Sequence, residues 1–473
     1  MTAEGRDHAV VIGASIAGCL AARVLADRFA KVTILERHPI PQGTDSRKGV
    51  PQENHVHLLL RRGKLLLDDL FPGFLRELEE RGAVVADLSR DVKFLHYEMW
   101  KRRFATGIEA HYCSRALIDD VIRGRLRRMP TVEMVDEALV QEPLADDTKR
   151  RIQGVRYVRK GETRVLPAAL VVDASGRGSK AGAWLQELGY PLVERAAVET
   201  DLGYTTRLYQ RRPEYADQWK VLLILPRPPG SRRMGVISPI EGDRWMVTTG
   251  GWFGEYPAPN EGAYLEFLRS LSVPDIYHVI KDAKPLSDIF TYRMKGGLRR
   301  HYERMDRFPE GFLVMGDALC CFNPLYSQGM SVCAMEAEAL RRVIAPLPDG
   351  ESVARSVRSA QRAIAEAVEP SWGMARSEDL RFPETEGERS SLLWLQHWYG
   401  AQLVRASARD RRVVTTLLKV VNLMEEGSQL QRPEIVLRVL RAWMRNLITK
   451  PFNVLSGSGS GSGFSGSGAS DVV

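Results

Sequence analysis

The residues of this chain best placed to do chemistry lie near its start. Gly13-Ala-Ser15-Ile16-Ala17-Gly18 follows the apolar run His8–Ile12 and precedes Cys19-Leu-Ala-Ala-Arg-Val-Leu25. A second apolar run, Lys31-Val-Thr-Ile-Leu35, then closes on Glu36 and Arg37. Read as strand, tight turn, helix, strand and acid, this is the order that binds a dinucleotide. Small residues let the turn approach a pyrophosphate, and the helix start offers unpaired N–H groups and the positive end of its dipole. An acid 18 residues beyond Gly18 can hold ribose hydroxyls. Ser15 stands where the pattern usually has its middle glycine and still allows close approach.

Two later segments have the same character. Asp173-Ala-Ser-Gly-Arg-Gly-Ser179 ends the buried-type strand Ala169–Ala174 with a tight turn. Gly316-Asp317 ends another strand, Gly311-Phe-Leu-Val-Met-Gly316, and leads through Pro324 to a helix that starts at Gly329-Met330. An aspartate at a strand end can hold polyol hydroxyls, and the helix start can support negative charge on a bound ring. Lys48 and Arg47 are placed either to touch a cofactor phosphate or substrate, or to be solvated. His55 and His57, spaced i, i+2, have no Cys, Asp or Glu set to complete a metal site, so no metal is expected.

These residues need elements to position them. Leucines 59, 60, 66, 67 and 70 predict a helix over 58–81, and Ser114 is a natural N-cap for a helix from Arg115. Residues 132–166 read as a hairpin-like section. From 181 to 290 strands broken by Pro and Gly predict an antiparallel sheet, in which Trp219, Leu222, Ile224, Trp245, Met246, Trp252 and Phe253 suggest an apolar cavity. Beyond 350 the chain reads as helical to about Ile448. The segment 435–448 mixes leucines with arginines, which suits packing on its own protein or a peripheral membrane contact. Ser456 onward is a low-complexity Gly/Ser tail.

Bulk properties narrow the class. The 473 residues allow two or three domains, and 44% hydrophobic content suits a soluble globular protein. No run is long and apolar enough to span a membrane, and five cysteines without ligand spacing argue against a disulfide framework, so a cytoplasmic setting is expected. The net charge is +8, but the arginine runs at 123–128, 211–212, 232–233, 299–300 and 409–412 lack interleaved aromatics. They read as solvated helix faces, with no nucleic-acid partner.

With the glycine turn, Arg115, the Asp173 turn and Gly316-Asp317 in this order, the chain resembles FAD-dependent monooxygenases of the p-hydroxybenzoate hydroxylase fold, over residues 8 to about 345. The loop Asp45–His57, Pro239–Trp245 and Arg299–Tyr302 resemble bacterial polyether (polyene) epoxidases, themselves similar to squalene epoxidase. The resemblance implies an α/β protein with an FAD-binding Rossmann-like (GR2-type) domain, an inserted antiparallel substrate domain and a C-terminal helical region. The expected boundaries are 1–180 and 291–350 for the FAD domain, 181–290 for the insert, 351–455 for the helices and 456–473 for the tail.

Under that resemblance FAD is held by Gly13, Ser15, Ile16, Ala17, Gly18, Glu36, Arg37, Lys48, Arg115, Asp173, Gly316, Asp317, Pro324, Gly329 and Met330. NAD(P)H donates electrons, directly or through a separate flavin reductase. Oxygen transfer through a flavin C4a-hydroperoxide would epoxidise or hydroxylate an apolar alkene-containing polyketide or terpenoid. Alkene reduction of the geranylgeranyl reductase type and aromatic polyketide hydroxylation are the alternatives. A flavin halogenase shares the fold, but the Trp-x-Trp-x-Ile-Pro segment is absent. A non-catalytic flavin-binding module is the remaining alternative. No side chain stands out as a catalytic acid or base.

Overall fold

The computed structural model of the chain describes residues 7–45, 51–215 and 217–448. Its centre is a five-stranded parallel sheet of β1 (His8–Ile12), β2 (Lys31–Leu35), β7 (Val132–Val135), β11 (Leu170–Asp173) and β17 (Phe312–Val314), in the order β17-β11-β1-β2-β7. The strands are apolar because both faces are covered, as parallel sheets require. Helices α1 (Ile16–Leu25) and α4 (Arg115–Arg127) pack in this core with α8 (Gly329–Ile344). The Ser114 hydroxyl accepts the Leu117 N–H at 3.1 Å and caps α4 as the sequence predicts.

The helix expected over 58–81 is two helices, α2 (Arg61–Leu70) and α3 (Phe74–Glu80). Pro72 and Gly73, the latter at φ 80°, break it. Helix α2 crosses α8 so closely that a Cβ on Gly63 would lie 2.6 Å from the Ser331 Cα. The Ser331 hydroxyl in turn accepts the Leu60 N–H at 3.1 Å, which fixes the first turn of α8.

The section 132–166 divides between sheets. β7 joins the parallel sheet, while β8 (Ala138–Ala145), β9 (Ile152–Arg159) and β10 (Glu162–Pro167) form a three-stranded antiparallel flap. Strands β3 (Val84–Asp87) and β6 (Glu109–Tyr112) make a two-stranded sheet.

The largest sheet has eight strands in the order β18-β16-β12-β15-β14-β13-β4-β5. Its long members are β12 (Arg195–Gln210), β13 (Val221–Ile224), β14 (Arg233–Ile240), β15 (Arg244–Trp252) and β16 (Phe290–Arg300). It also takes β4 (Val92–His96) and β5 (Met99–Trp100) from before residue 181, and β18 (Cys320–Cys321) from after 290. All pairings are antiparallel except β13 with β4, so the sheet is stitched across the segments expected to be separate. Helix α5 (Ala181–Glu187) packs in the first core instead, while α6 (Glu261–Arg269) and α7 (Asp275–Ile280) cover one face of this sheet.

The C-terminal helices are α9 (Gly350–Arg355), α10 (Val357–Asp379), α11 (Leu393–Ala406), α12 (Arg411–Val421) and α13 (Pro433–Ile448). α10 belongs to the main core, but α11, α12 and α13 share a small cluster of their own around Leu403, Val413, Ile435 and Val439. Among the described residues no helix is long and apolar enough to cross a membrane.

Three of the arginines expected on solvated faces are buried: Arg123, Arg299 and Arg300. Arg300 donates to the Ala318 carbonyl at 2.9 Å and the Arg177 carbonyl at 2.8 Å, and Arg299 donates to the Ala365 carbonyl at 3.2 Å. Arg300 thereby ties the two cofactor-type loops together, a structural use of charge-assisted hydrogen bonds.

Candidate cofactor and substrate site

A cavity of about 510 Å³ runs from the β1–α1 turn to the large sheet. Its polar end is built by local chain geometry. Gly13 adopts φ +103°, open to glycine but strained for other residues, and a Cβ there would lie 2.6 Å from the Ala174 carbonyl oxygen. A Cβ on Gly18 would meet the Gly13 oxygen at 1.9 Å, so that glycine lets α1 close on its own entry turn. Gly18 therefore acts from behind the cavity, whereas Gly13, Ser15, Ile16 and Ala17 line it.

Ser15 precedes α1 without a side-chain cap bond, so the first N–H groups of that helix face the cavity uncapped by it. Its hydroxyl takes a hydrogen bond from Arg115 at 3.2 Å, and Arg115 is oriented by Asp119 at 2.8 Å. Glu36 and Arg37 lie at the same end. The Glu36 carboxylate accepts the Ala14 N–H at 2.8 Å and the His38 N–H at 3.1 Å, which locks acid and glycine turn into one unit.

Asp317 lines the cavity near the charges of Arg115, Arg177 and Arg300; burial pushes its carboxyl up while those arginines oppose the shift. Behind it, Gly316 does not line the cavity; its N–H is held at 2.6 Å by the buried carboxyl of Glu336 on α8. Pro324, Gly329 and Met330 line the cavity, and α8 also starts without a side-chain cap. Two helix starts thus converge on one cleft.

Asp173 differs from its expected contact role. It is fully buried, accepts the Ser175 N–H at 2.9 Å and the Ser179 hydroxyl, and does not line the cavity. Its aspartate shapes the turn, and the neighbouring Arg177, which sequence reasoning passed over, lines the cavity. Arg47 and Lys48 lie outside the described residues.

The other end is apolar, but not through the expected residues. None of Trp219, Leu222, Ile224, Trp245, Met246, Trp252 and Phe253 lines it. Val221, Leu223 and Leu225 do, joined by Met234, Val236 and Met294. Leu222 and Ile224 point the other way into the core beneath α6 and α7, where Trp219 stacks on Trp245 at 5.8 Å. Tyr112, Tyr204 and Tyr292 add half-polar edges, and burial pushes the Tyr292 hydroxyl up to about 12. His55 and His57 sit between the two ends; burial pushes them down to about 3 and about 4. Both imidazoles are neutral at pH 7 and weakly basic. Among the described residues no His, Cys, Asp and Glu cluster could hold a metal ion.

The polar end fits FAD. Uncapped helix starts suit a diphosphate, a positive-φ turn leaves no Cβ in the way, and a carboxylate facing arginines suits polyol hydroxyls.

Comparisons with known proteins agree with this geometry. The pattern of a family described as "FAD dependent oxidoreductase" matches residues 9–184. Protein Rv3254 of Mycobacterium tuberculosis is 30% identical over 401 residues, covering 82% of this chain and 83% of its own. A flavoprotein/dehydrogenase of Cytophaga hutchinsonii shares the fold at TM-score 0.66 and 15% identity, over 93% of this chain and 98% of its own. A probable FAD-dependent monooxygenase of Pseudomonas aeruginosa, pqsL, does so at TM-score 0.55 and 18% identity, over 86% and 98%. The chain belongs to the FAD-dependent oxidoreductases.

Proposed function

We propose that this protein is an FAD-dependent monooxygenase that transfers one oxygen atom from O2 to an apolar, alkene-containing natural-product intermediate. Bound FAD would supply the redox chemistry, taking electrons from NAD(P)H or a reductase and activating oxygen. The chain's own residues supply the setting. The start of α1 and Arg115 bind the diphosphate, Glu36 fixes the turn, and Asp317 holds polyol hydroxyls. The start of α8 favours negative charge on the reduced ring. Val221, Leu223, Leu225, Met234 and Val236 exclude water and present one face of the substrate.

The observation that carries the reading is this apolar wall directly beyond a cofactor-type cleft, with no carboxylate on the wall and two neutral histidines between wall and cleft. A phenol has to lose its proton for efficient hydroxylation, and imidazoles held at about 3 and about 4 accept it poorly. Oxygen transfer to an alkene needs no such deprotonation. The test is turnover of an alkene panel under 18O2 with an electron donor, where the expected product is an epoxide or derived alcohol carrying one labelled atom. Saturation of the alkene without oxygen at the aerobic rate would replace this reading with a reductase.

A further inference from the structure

We propose that His55 offers its Nε2–H to the cavity as a fixed, neutral hydrogen-bond donor, and that the molecule bound there meets it with a carbonyl-type oxygen. The inference rests on the cavity being the flavin and substrate site. His55 is 5% exposed and borders the cavity, yet its Nε2 has no hydrogen-bond partner among the described residues. An unmatched polar atom in such a place calls for a ligand.

The tautomer follows from hydrogen-bond accounting. Nδ1 of His55 lies 2.6 Å from the Thr206 hydroxyl, which lies 2.6 Å from the Thr248 hydroxyl. Thr248 also accepts the Val56 N–H at 3.3 Å, and both threonines are buried. Each hydroxyl has one hydrogen to place. If Thr248 donates to Thr206 and Thr206 donates to Nδ1, both hydrogens have acceptors. In the reverse order Thr206 donates to Thr248, and the Thr248 hydrogen, with no acceptor among the described residues, has to be met in the cavity that Thr248 also lines. The proposed order is the first, in which both hydroxyl hydrogens are placed within the protein, Nδ1 accepts and Nε2 carries the proton. Burial and the neighbouring His57 keep the ring from charging, and Tyr204 and Tyr292 flank it at 6.0 and 5.9 Å. A neutral oxygen acceptor suits this donor. It can come from the FAD ring or from an oxygen function on the substrate.

The experiment is NMR of 15N-histidine-labelled protein, with the His55 signal assigned by its loss in His55→Gln. In the apoprotein at pH 7 the expected pattern is the neutral Nε2–H form. Thr206→Val, which keeps shape but removes the donor to Nδ1, should convert this to a mixture of tautomers. FAD is then added, followed by 2-undecanone, with 2-methyl-1-undecene as the isostere lacking oxygen. A shift of Nε2 with FAD assigns the acceptor to the cofactor, and a shift with the ketone but not the alkene assigns it to the substrate. Observation of the Nδ1–H form, or an Nε2–H signal indifferent to both FAD and ketone, overturns the proposal. Failure of the functional reading is seen separately, as absence of FAD binding in a fluorescence titration, while the tautomer remains measurable in the apoprotein.

Discussion

Glu336 is 1% exposed and holds the Gly316 N–H, and its environment pushes the carboxyl from 4.5 up to about 8, mainly through burial. Between those values the folded chain keeps a proton that the unfolded chain has lost. Stability from this group is therefore greatest below about pH 4.5, falls as pH rises to about 8, and is level above. The slope can approach about 1.4 kcal/mol per pH unit. Glu336→Gln keeps an oxygen for the Gly316 N–H and should remove this slope, so that urea denaturation shows the variant gaining on the wild type between pH 5 and pH 8. A gap independent of pH would mean that Glu336 is ionised in the folded protein. At the same scale, Asp317→Ala should weaken FAD binding by about 1.5–3 kcal/mol, the range for a hydrogen bond to a charged group. Unchanged affinity in a folded variant would leave Asp317 a turn residue only.

The elements that could be read from sequence were those with one periodicity and a local signal. The β1–α1–β2 unit and the α8 helix stand where the glycine turn and the Gly329 helix start predict them. Strand β13 shows where this stops. Val221-Leu-Leu-Ile-Leu225 is apolar throughout, because α6 and α7 cover one face and the other forms the cavity wall, so period two gives no parity. The buried arginines were unreadable for a related reason, since Arg300 finds its carbonyl partners 18 and 123 residues away. The parity is testable. Leu222→Ala should lower stability by about 2–5 kcal/mol, as buried leucine truncations do, while leaving FAD affinity unchanged. Leu223→Trp should leave stability within about 1 kcal/mol and impair substrate turnover, because the larger ring enters the cavity rather than the core. Reversed effects, read by denaturation and steady-state kinetics, would return the wall to the expected residues.

At the scale of the whole molecule, cores of unequal size share one chain. The main core joins the parallel sheet to α1, α8 and α10, whereas α11, α12 and α13 meet around a few side chains such as Leu403, Val413 and Val439. That layer is pinned to the rest by discrete polar contacts. Lys101 donates to the Ser407 hydroxyl at 2.7 Å, the Arg102 N–H to the Ala408 carbonyl at 3.0 Å, and the Arg61 N–H to the Asn422 side chain at 3.1 Å. Regions with little apolar burial open at lower free energy than the core. A ligand that binds only the folded core stabilises that core by mass action. Hydrogen exchange should therefore show α11–α13 opening before α1 and α8 in the apoprotein. Saturating FAD should raise protection at the starts of α1 and α8, by about 2.7 kcal/mol at a hundredfold excess over Kd if those amides exchange by global unfolding. It should change α11–α13 little, because the cleft that takes the cofactor is built without them. Equal gains in both regions would show that the C-terminal layer opens together with the core.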